Sequence, residues 1–490
     1  MALGVAWGVA RTGLSVASDQ IAIVSRNVAN AQNPDSTRKY AEVTTRGNGG
    51  ALIADIGRVT NRPMLEAYLN SSSDAETQRA IVAGADALSA VIGDPALGTS
   101  PAALLANLES TLRTFAARPS DTTVGRSVLA AADAMADTLN SGAESIAKIR
   151  NDADRAIGGA VATVNRLLAD LERSNAQVLK LTGSGNDATD ELDKRDAILK
   201  NLSAEIGIRV IPRSSNDVLV YSDSGIVLFE TVARTVSFHE SNPLAPGAAG
   251  GQVYIDGMQA TGPGAVMPIS SGRIKGLVEV RDNIAPVFAN QLDEIARGLV
   301  EAFADRDRSG AGGPDLPGLF TWSGGTVPPT GVLSQGLASS IVVNPGVDPA
   351  RGGDLRYLRD GGASAPTNPN YRANVTGAAG YSARLEELVS GLSAPRGFAF
   401  EAGLSTSASL LDFASGSAGW IEETRKVSGQ SLESSDALRV RSSEILSGAT
   451  GVNIDREMAD MLQLERAYQA SSRLLSTVDQ MFESLFSSTR

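Results

Sequence analysis

The sequence predicts a mainly α protein with an inserted β-rich domain. Its N- and C-terminal helices pair as an α-helical coiled coil, a long helical bundle comes next, and the β-rich part lies outermost. Three observations carry this. First, apolar or small residues recur at alternating steps of four and three at both ends of the chain: Leu3, Trp7, Ala10, Leu14, Ala17, Ile21, Val24 and Val28, then Met461, Leu464, Tyr468, Ser471, Leu475, Val478, Phe482 and Leu485. That spacing is the seven-residue repeat of a coiled-coil seam. Second, capped helical patterns fill most of the stretch from Asn61 to Ala204. Third, the period changes after Ala204, where Ile206, Ile208 and Val210 alternate.

The elements follow in order. Asn30 to Gly57 is rich in Asn, Pro, Thr and Gly and reads as a loop carrying a short strand. Asn61 caps and Pro63 starts a helix running to about Ile92; Ser100-Pro101 opens another that stops before Pro119. Ser120-Asp121 caps a long Ala-rich run to about Leu181, and Asp187 to Ala204 is helical again. Short apolar runs at Val218–Tyr221, Ile226–Phe229 and Val253–Ile255 read as strands, the last followed by the hairpin dipeptide Asp256-Gly257. Helix returns from Arg273 to about Asp305. Residues 308–397 are dominated by Gly, Pro, Ser and Asn, with strand fragments such as Ser340 to Val343. Helix resumes from about Leu404 to Leu446, a Gly-rich joint spans Ser447 to Val452, and the C-terminal seam closes the chain.

The expected organisation is therefore out and back. Residues 1–33 with 453–490 form the terminal coiled coil. Residues 34–204, 273–307 and 398–452 form the helical bundle, 205–272 the β-rich insertion, and 308–397 a loosely built outer insertion. Small residues in the stripes (Ala10, Ala17, Ser471) allow close approach but contribute little burial, so the ends need covering by copies of the same chain.

Composition narrows the function. The chain has 490 residues, 42% of them hydrophobic and only 4% aromatic, with a formal net charge of −12. An acidic surface disfavours nucleic acid and anionic membranes as partners. There are no cysteines, which removes disulfides, thiolate catalysis and cysteine metal sites. The single His239 sits in a strand-like run and reads as a surface residue, so no Ser-His-Asp constellation is expected. Asp305-Arg-Asp307-Arg-Ser309-Gly310 resembles the first half of a calcium loop, but Leu316 stands where a bidentate Glu is needed and two arginines oppose a cation. Asp190, Glu191 and Asp193 beside Lys194 and Arg195 read as a solvated, self-paired helix face, as do Glu422 and Glu423 beside Arg425 and Lys426. Asn374-Val-Thr376 is a formal glycosylation sequon. No catalytic, cofactor or metal site is expected. No basic leader with a cleavage site is evident, nor any run near the ~20 apolar residues of a membrane span.

Specific motifs then point to a family. Thr12-Gly-Leu14, Gln20, Ile23, Ser25-Arg-Asn27-Val-Ala29-Asn30 and Asn33 resemble the N-terminal motif of flagellar rod, hook and hook-associated proteins. Gly451-Val-Asn453-Ile-Asp455-Arg-Glu457-Met458 and Tyr468-Gln-Ala-Ser471 resemble the C-terminal motif, most like the hook–filament junction members. Leu192-Asp-Lys-Arg195-Asp196 and Gly272-Arg-Ile-Lys-Gly276-Leu277 are similar to interior segments. Asp-Ser-Thr at 35–37 departs from the usual Gly-Tyr-Ser.

The resemblance implies a structural, non-enzymatic protein. It would be exported unfolded by the flagellar type III pathway and would assemble outside the cell as a helical homo-oligomer. Its implied partners are hook protein on one side, the next hook-associated junction protein on the other, and an export chaperone for the C-terminal helix. It adds Asn27 and Asn30 to the seam residues as assembly positions. A hook or rod protein is the alternative; a wall hydrolase carried on a flagellar scaffold would need a polar catalytic cluster, and the sequence offers none.

Overall fold

The computed structural model describes residues 2–47, 49–91, 98–241 and 243–488. Helix α1 (Ala2–Ala29) leads into a hairpin of β1 (Lys39–Thr45) and β2 (Ala51–Arg58). Asn30 to Gly57 is thus a two-stranded arm where a loop with one strand was expected; among the described residues between its strands is Gly49 at φ 83°. The arm packs along α1, so residues 39–58 belong with the terminal helices and not with the bundle. A Cβ placed on Gly49, near the arm's tip, would touch the Val9 side chain.

Three capped helices follow. In α2 (Arg62–Ser89) the Asn61 Oδ1 accepts from Met64 N at 3.2 Å. The helix ends at Ser89, and the expected end at Ile92 lies outside the described residues. In α3 (Pro101–Ala117) Ser100 Oγ accepts from Ala103 N at 3.3 Å. In α4 Asp121 Oδ1 accepts from Thr123 N at 2.9 Å, and the helix runs 62 residues, Thr122–Gly183. At 1.5 Å per residue it is about 90 Å long. Helix α5 (Thr189–Glu205) turns back along it.

The β-rich part is two small antiparallel sheets. β3 (Ile208–Pro212), β4 (Val218–Ser222) and β5 (Val227–Phe229) form one; β6 (Val236–Phe238), β7 (Val253–Ile255) and β8 (Met258–Gln259) form the other. The β7–β8 turn has Asp256 at φ 50° and Gly257 at φ 80°, the two positive values a type I′ turn requires. The return helix comes in two pieces, α6 (Arg273–Glu279) and α7 (Ala285–Ala302), joined by a wide π turn over Val280–Ile284.

That turn marks a boundary inside the body. One apolar cluster gathers α3, the first half of α4 and α7; a second gathers the middle of α4, α5, α6 and both sheets. Between Ile146 and Ile157 of α4 the contact is ionic. Arg281, from the π turn, pairs with Asp154 at 2.5 Å with neither side chain exposed, and Arg150 Nε donates to Arg281 O at 3.1 Å. A buried charge pair is tolerable only when fully hydrogen-bonded, and Arg281 also donates to Asp282.

Residues 308–397 do not form a loosely built outer layer. Leu319, Phe320, Leu337, Ile341, Val343, Val347 and Leu358 are buried in the first cluster. Asn140 Nδ2 of α4 donates to Ala338 O and Ile341 O, and Asp293 of α7 accepts from Gly336 N and Ala338 N at 2.8 Å each. Regular structure here is sparse: β9 (Phe320–Thr321) paired with β10 (Val342–Val343), α8 (Arg356–Asp360) and α9 (Ala383–Ser393). The expected strand at Ser340 is this two-residue β10. Irregular backbone is held by side chains such as Asp305, which accepts from Gly362 N and Ala363 N and pairs with Arg384 at 2.5 Å. Asp307 takes Ser309 N and Gly313 N, so the calcium-like stretch is a self-capped turn. Asn374 is buried and donates to Asp360 and Ala378 O, which withdraws it from glycosylation in the folded chain.

A short pair, β11 (Arg396–Gly397) and β12 (Ser407–Ala408), precedes α10 (Leu410–Thr450), so this helix starts six residues later than Leu404 and runs through most of the expected joint. It lies antiparallel to α2, with Arg79 paired to Asp436 at 3.0 Å. Only Gly451, Val452 and Asn453 separate it from α11 (Ile454–Ser488).

Candidate functional site: the terminal stem and its joint

Helices α1 and α11 pack against each other along their length. Asn27 faces Glu457 and Gly13 faces Ser471, so the pairing is antiparallel, with residue numbers summing to 484. Of the α1 stripe, Ala10, Ala17 and Val24 are buried and Leu3, Trp7, Leu14, Ile21 and Val28 half-buried. Of the α11 stripe, Val478 is buried and Met461, Leu464, Ser471, Leu475 and Phe482 half-buried; Tyr468 (39% exposed) and Leu485 (53%) face outward. The small residues sit where the helices come closest: a Cβ on Gly13 would lie 3.5 Å from Ser471 Oγ. These residues therefore hold the two termini of one chain together.

A second α1 stripe, Val16, Ile23 and Asn27, is also buried, on a helix flanked by both α11 and the arm. The spacing alone does not show it, because Gly13 and Gln20 dilute the pattern; Ile23 and Asn27 entered only through the family motif. Asn30 does not reach α11; its Nδ2 donates to Arg26 O at 3.0 Å and closes the end of α1.

Asn27 is central to the joint. Its Nδ2 donates to Lys39 O at 2.8 Å and to Glu457 Oε2 at 2.9 Å, and Lys39 N donates to its Oδ1 at 3.0 Å. Glu457, fully buried, takes Arg38 Nε at 2.5 Å, and Arg38 also pairs with Asp460 at 3.0 Å and donates its N–H to Thr450 O at 2.8 Å. One side-chain amide thus ties α1, the arm and α11 together, and Arg38 ties them to the end of α10.

On the other side, four carboxylates at three-residue steps, Asp187, Asp190, Asp193 and Asp196, meet three cations of the terminal unit. Arg26 pairs with Asp187 at 2.8 Å and Asp190 at 3.4 Å. Lys39 pairs with Asp190, and with Asp193 at 3.5 Å. Arg58 pairs with Asp193 at 2.9 Å and Asp196 at 2.7 Å. Asp193 also accepts from Thr37 N and Oγ1. Burial alone would raise the Asp187 carboxyl, but hydrogen bonds from Thr189 and the Arg26 pair outweigh it and hold it below the usual range. Burial would lower Arg58, and Asp196 and Asp193 reverse that. The reading of Asp190 and Asp193 as a self-paired solvated face is corrected here: Glu191 does pair with Lys194, while the aspartates reach across to another unit. A cleft of about 1140 Å³ opens beside this ladder, lined by Tyr40 and Arg58 of the arm, Tyr68 of α2, Lys200 of α5 and Leu446 of α10.

No apolar cluster of the body includes a residue of α1, the arm or α11 among the described residues. The attachment is polar. Exposed large apolar side chains are denser on the terminal unit, with Val5, Val9, Ile454, Met458, Leu462, Leu474, Met481, Leu485 and Phe486, than on the larger body, where others such as Val266, Val375 and Phe400 are scattered. His239 is exposed, and no group of three or more Asp, Glu or His among the described residues could hold a metal. No described helix is long and apolar enough to cross a membrane.

A two-helix stem made from both termini, polar at its root and apolar on its outer faces, defines a self-assembling structural subunit. In sequence the chain is similar to flagellar hook-associated proteins. A family model described as the flagellar hook-associated protein FlgK helical domain matches residues 85–318, and the flagellar basal body rod FlgEFG C-terminal model matches 448–487. Flagellar hook-associated protein 1 of Bacillus subtilis is 24% identical over 386 residues, covering 73% of this chain and 70% of that protein. The Escherichia coli protein of the same name is 21% identical over 313 residues, covering 61% and 56%. The hook junction protein FlgK of Burkholderia pseudomallei is similar in structure at 17% identity and TM-score 0.43, covering 53% of this chain and 47% of that one.

Proposed function

We propose that the chain is a structural subunit of the bacterial flagellum, forming the junction layer between hook and filament by helical self-assembly through its terminal stem. It is a structural protein and not an enzyme. The observation that supports the reading is the row of exposed apolar side chains along α11, denser than on the body, on a stem whose inner seam is already filled within the chain. Contiguous exposed apolar surface marks an interaction site. In this reading Leu3 to Val28 and Met461 to Leu485 serve assembly by pairing α1 with α11, and the outward residues Ile454, Met458, Leu462, Leu474 and Met481 meet neighbouring subunits.

The finer partners follow from the same surface. Hook protein would meet one end of the layer and the next hook-associated protein the other. The apolar α11 needs a covering partner before assembly, the role an export chaperone would fill after which the protein leaves by the flagellar secretion channel. The test is immunogold labelling of the tagged chain in its own cells. Label confined to the hook–filament boundary is expected; label along the hook or rod would replace this reading with the hook or rod alternative. A Met481→Asp chain should be exported yet absent from the boundary, and normal incorporation would remove the stem's outer face from assembly.

A further inference from the structure

The ladder at the root of the stem does more than join two units. Three cations on the stem side interleave with four carboxylates on the body side, each cation spanning two successive rungs. Successive rungs on α5 rise about 4.5 Å. Lys39 and Arg58 are direct partners across the β1–β2 ladder. Like charges so placed repel, and Asp193 lies against both, so the base of the arm keeps its register only while α5 is docked.

Beside this ladder the stem is held by a further pair, Lys200 of α5 with Asp35 at 2.9 Å, and by the Arg38 corner. It shares no apolar cluster with the body among the described residues. The chain crosses between the units at 59–61 and 451–453, outside helix and strand. Arg38 sits at the second crossing, bonded to Thr450 O and Glu457. The cleft beside the ladder leaves volume into which the arm can move.

The geometry points to a latch and pivot: the Asp187–Asp190–Asp193–Asp196 ladder fixes the direction of the stem, and the stem swings as one unit about the Arg38 corner when the ladder is weakened. The rungs differ in access, the Asp190 side chain being 66% exposed and that of Asp193 9%. The exposed Asp190 rung therefore feels dissolved salt first, and the more buried Asp193 rung holds longer.

The test uses the full chain. With no cysteine in the sequence, Thr44→Cys on the arm and Lys180→Cys at the end of α4 give two unique spin-label sites. Distance distributions are measured by double electron–electron resonance in about 0.05 M and about 1 M salt, where the screening length falls severalfold. One narrow distribution is expected at low salt, broadening and shifting at high salt. Asp193→Asn should broaden it already at low salt, Asp196→Asn less, and Asp170→Asn, a surface carboxylate of α4, not at all. Arg58→Gln attacks the ladder from the stem side and should reproduce Asp193→Asn with α5 untouched. Thermal melting followed alongside keeps loosening distinct from unfolding of the body. A distribution indifferent to Asp193→Asn, Arg58→Gln and salt overturns the latch, as does one already broad in the unsubstituted chain at low salt. The readout is intramolecular, so its failure leaves the flagellar reading standing.

Discussion

α4 in the body and α11 in the stem are both long amphipathic helices, and they differ in what covers them. α4 buries residues from Gly125 to Val178, its inner face covered by other parts of the chain. α11 is 35 residues long and buries two, Glu457 and Val478. One helix completes a core within the chain; the other has half a core and waits for the rest. Helical propensity alone stabilises neither, since most helix stability in proteins comes from packing of an apolar face. The contrast means that the body's stability is a property of the monomer, while the stem's is a property of the assembly.

The largest expected break in this contrast is Ala17→Asp. Ala17 is buried in the α1–α11 seam, and an unpaired charge there should cost about 3 kcal/mol or more, enough to open a marginal stem. Limited proteolysis should then trim both ends while the body melts unchanged. A body that melts earlier would show that stem and body fold as one cooperative unit.

A comparable loss on the other side is expected for Leu337→Ala. Leu337 is fully buried within the Gly- and Pro-rich segment, so the cost should be about 2–5 kcal/mol in urea unfolding of the body. A negligible change would restore the picture of residues 308–397 as a dispensable surface.

Proton linkage separates the two regions further. Burial raises the Asp293 carboxyl of α7 to about 6, against hydrogen bonds from Ala338 and Gly336 that lower it. Between about pH 4 and pH 6 the native body therefore holds a proton that the unfolded chain has released. Body stability should rise as pH falls through 6, by up to about 3 kcal/mol near pH 4. Asp187 at the joint is shifted the opposite way, so its contribution is present above the ordinary Asp range and is lost below it. Melting of the chain and of an Asp293→Asn variant between pH 7 and 5 checks this. The unsubstituted body should gain more stability on acidification than Asp293→Asn, whose remaining gain comes from other raised carboxyls such as Asp305 and Glu205, with the arm–body distance unchanged.

The smallest effect is expected for Asn27→Ala, which leaves Glu457 and the Lys39 backbone short of partners and should cost about 1–3 kcal/mol at the joint. It should appear as faster amide exchange in residues 37–45, with none in α4.

How far the sequence carried differs between these regions for physical reasons. The seams were readable because a seven-residue rhythm survives even with Ala and Ser in it, and the caps Asn61, Ser100 and Asp121 announce helices through local chemistry. The arm was legible only as one short strand, because Lys39, Glu42, Thr44 and Thr45 leave β1 no continuous apolar face; the strands are stabilised by lying on α1. The ladder was hidden because carboxylates near Lys194 and Arg195 look self-paired, and nothing local says that Lys39 and Arg58 lie opposite. Residues 308–397 misled for a related reason: Leu319, Leu337, Ile341 and Leu358 anchor it singly, without any period, between glycines and prolines that suggest exposure.

The bond from Asn27 to Glu457 spans 430 residues of chain. Closing a loop that long from an unfolded coil costs about 3 kcal/mol more than closing one of a dozen residues. Among the described residues every sheet pairing in the body is local and antiparallel, so the body can form first and shorten that loop to its two crossings. Order of events is thereby written into the topology: the ends meet last, delivered side by side by a body already folded. Pulse-labelled hydrogen exchange during refolding should show α4 protected before α1 and α11, and the reverse order would mean that the ends find each other through an open chain.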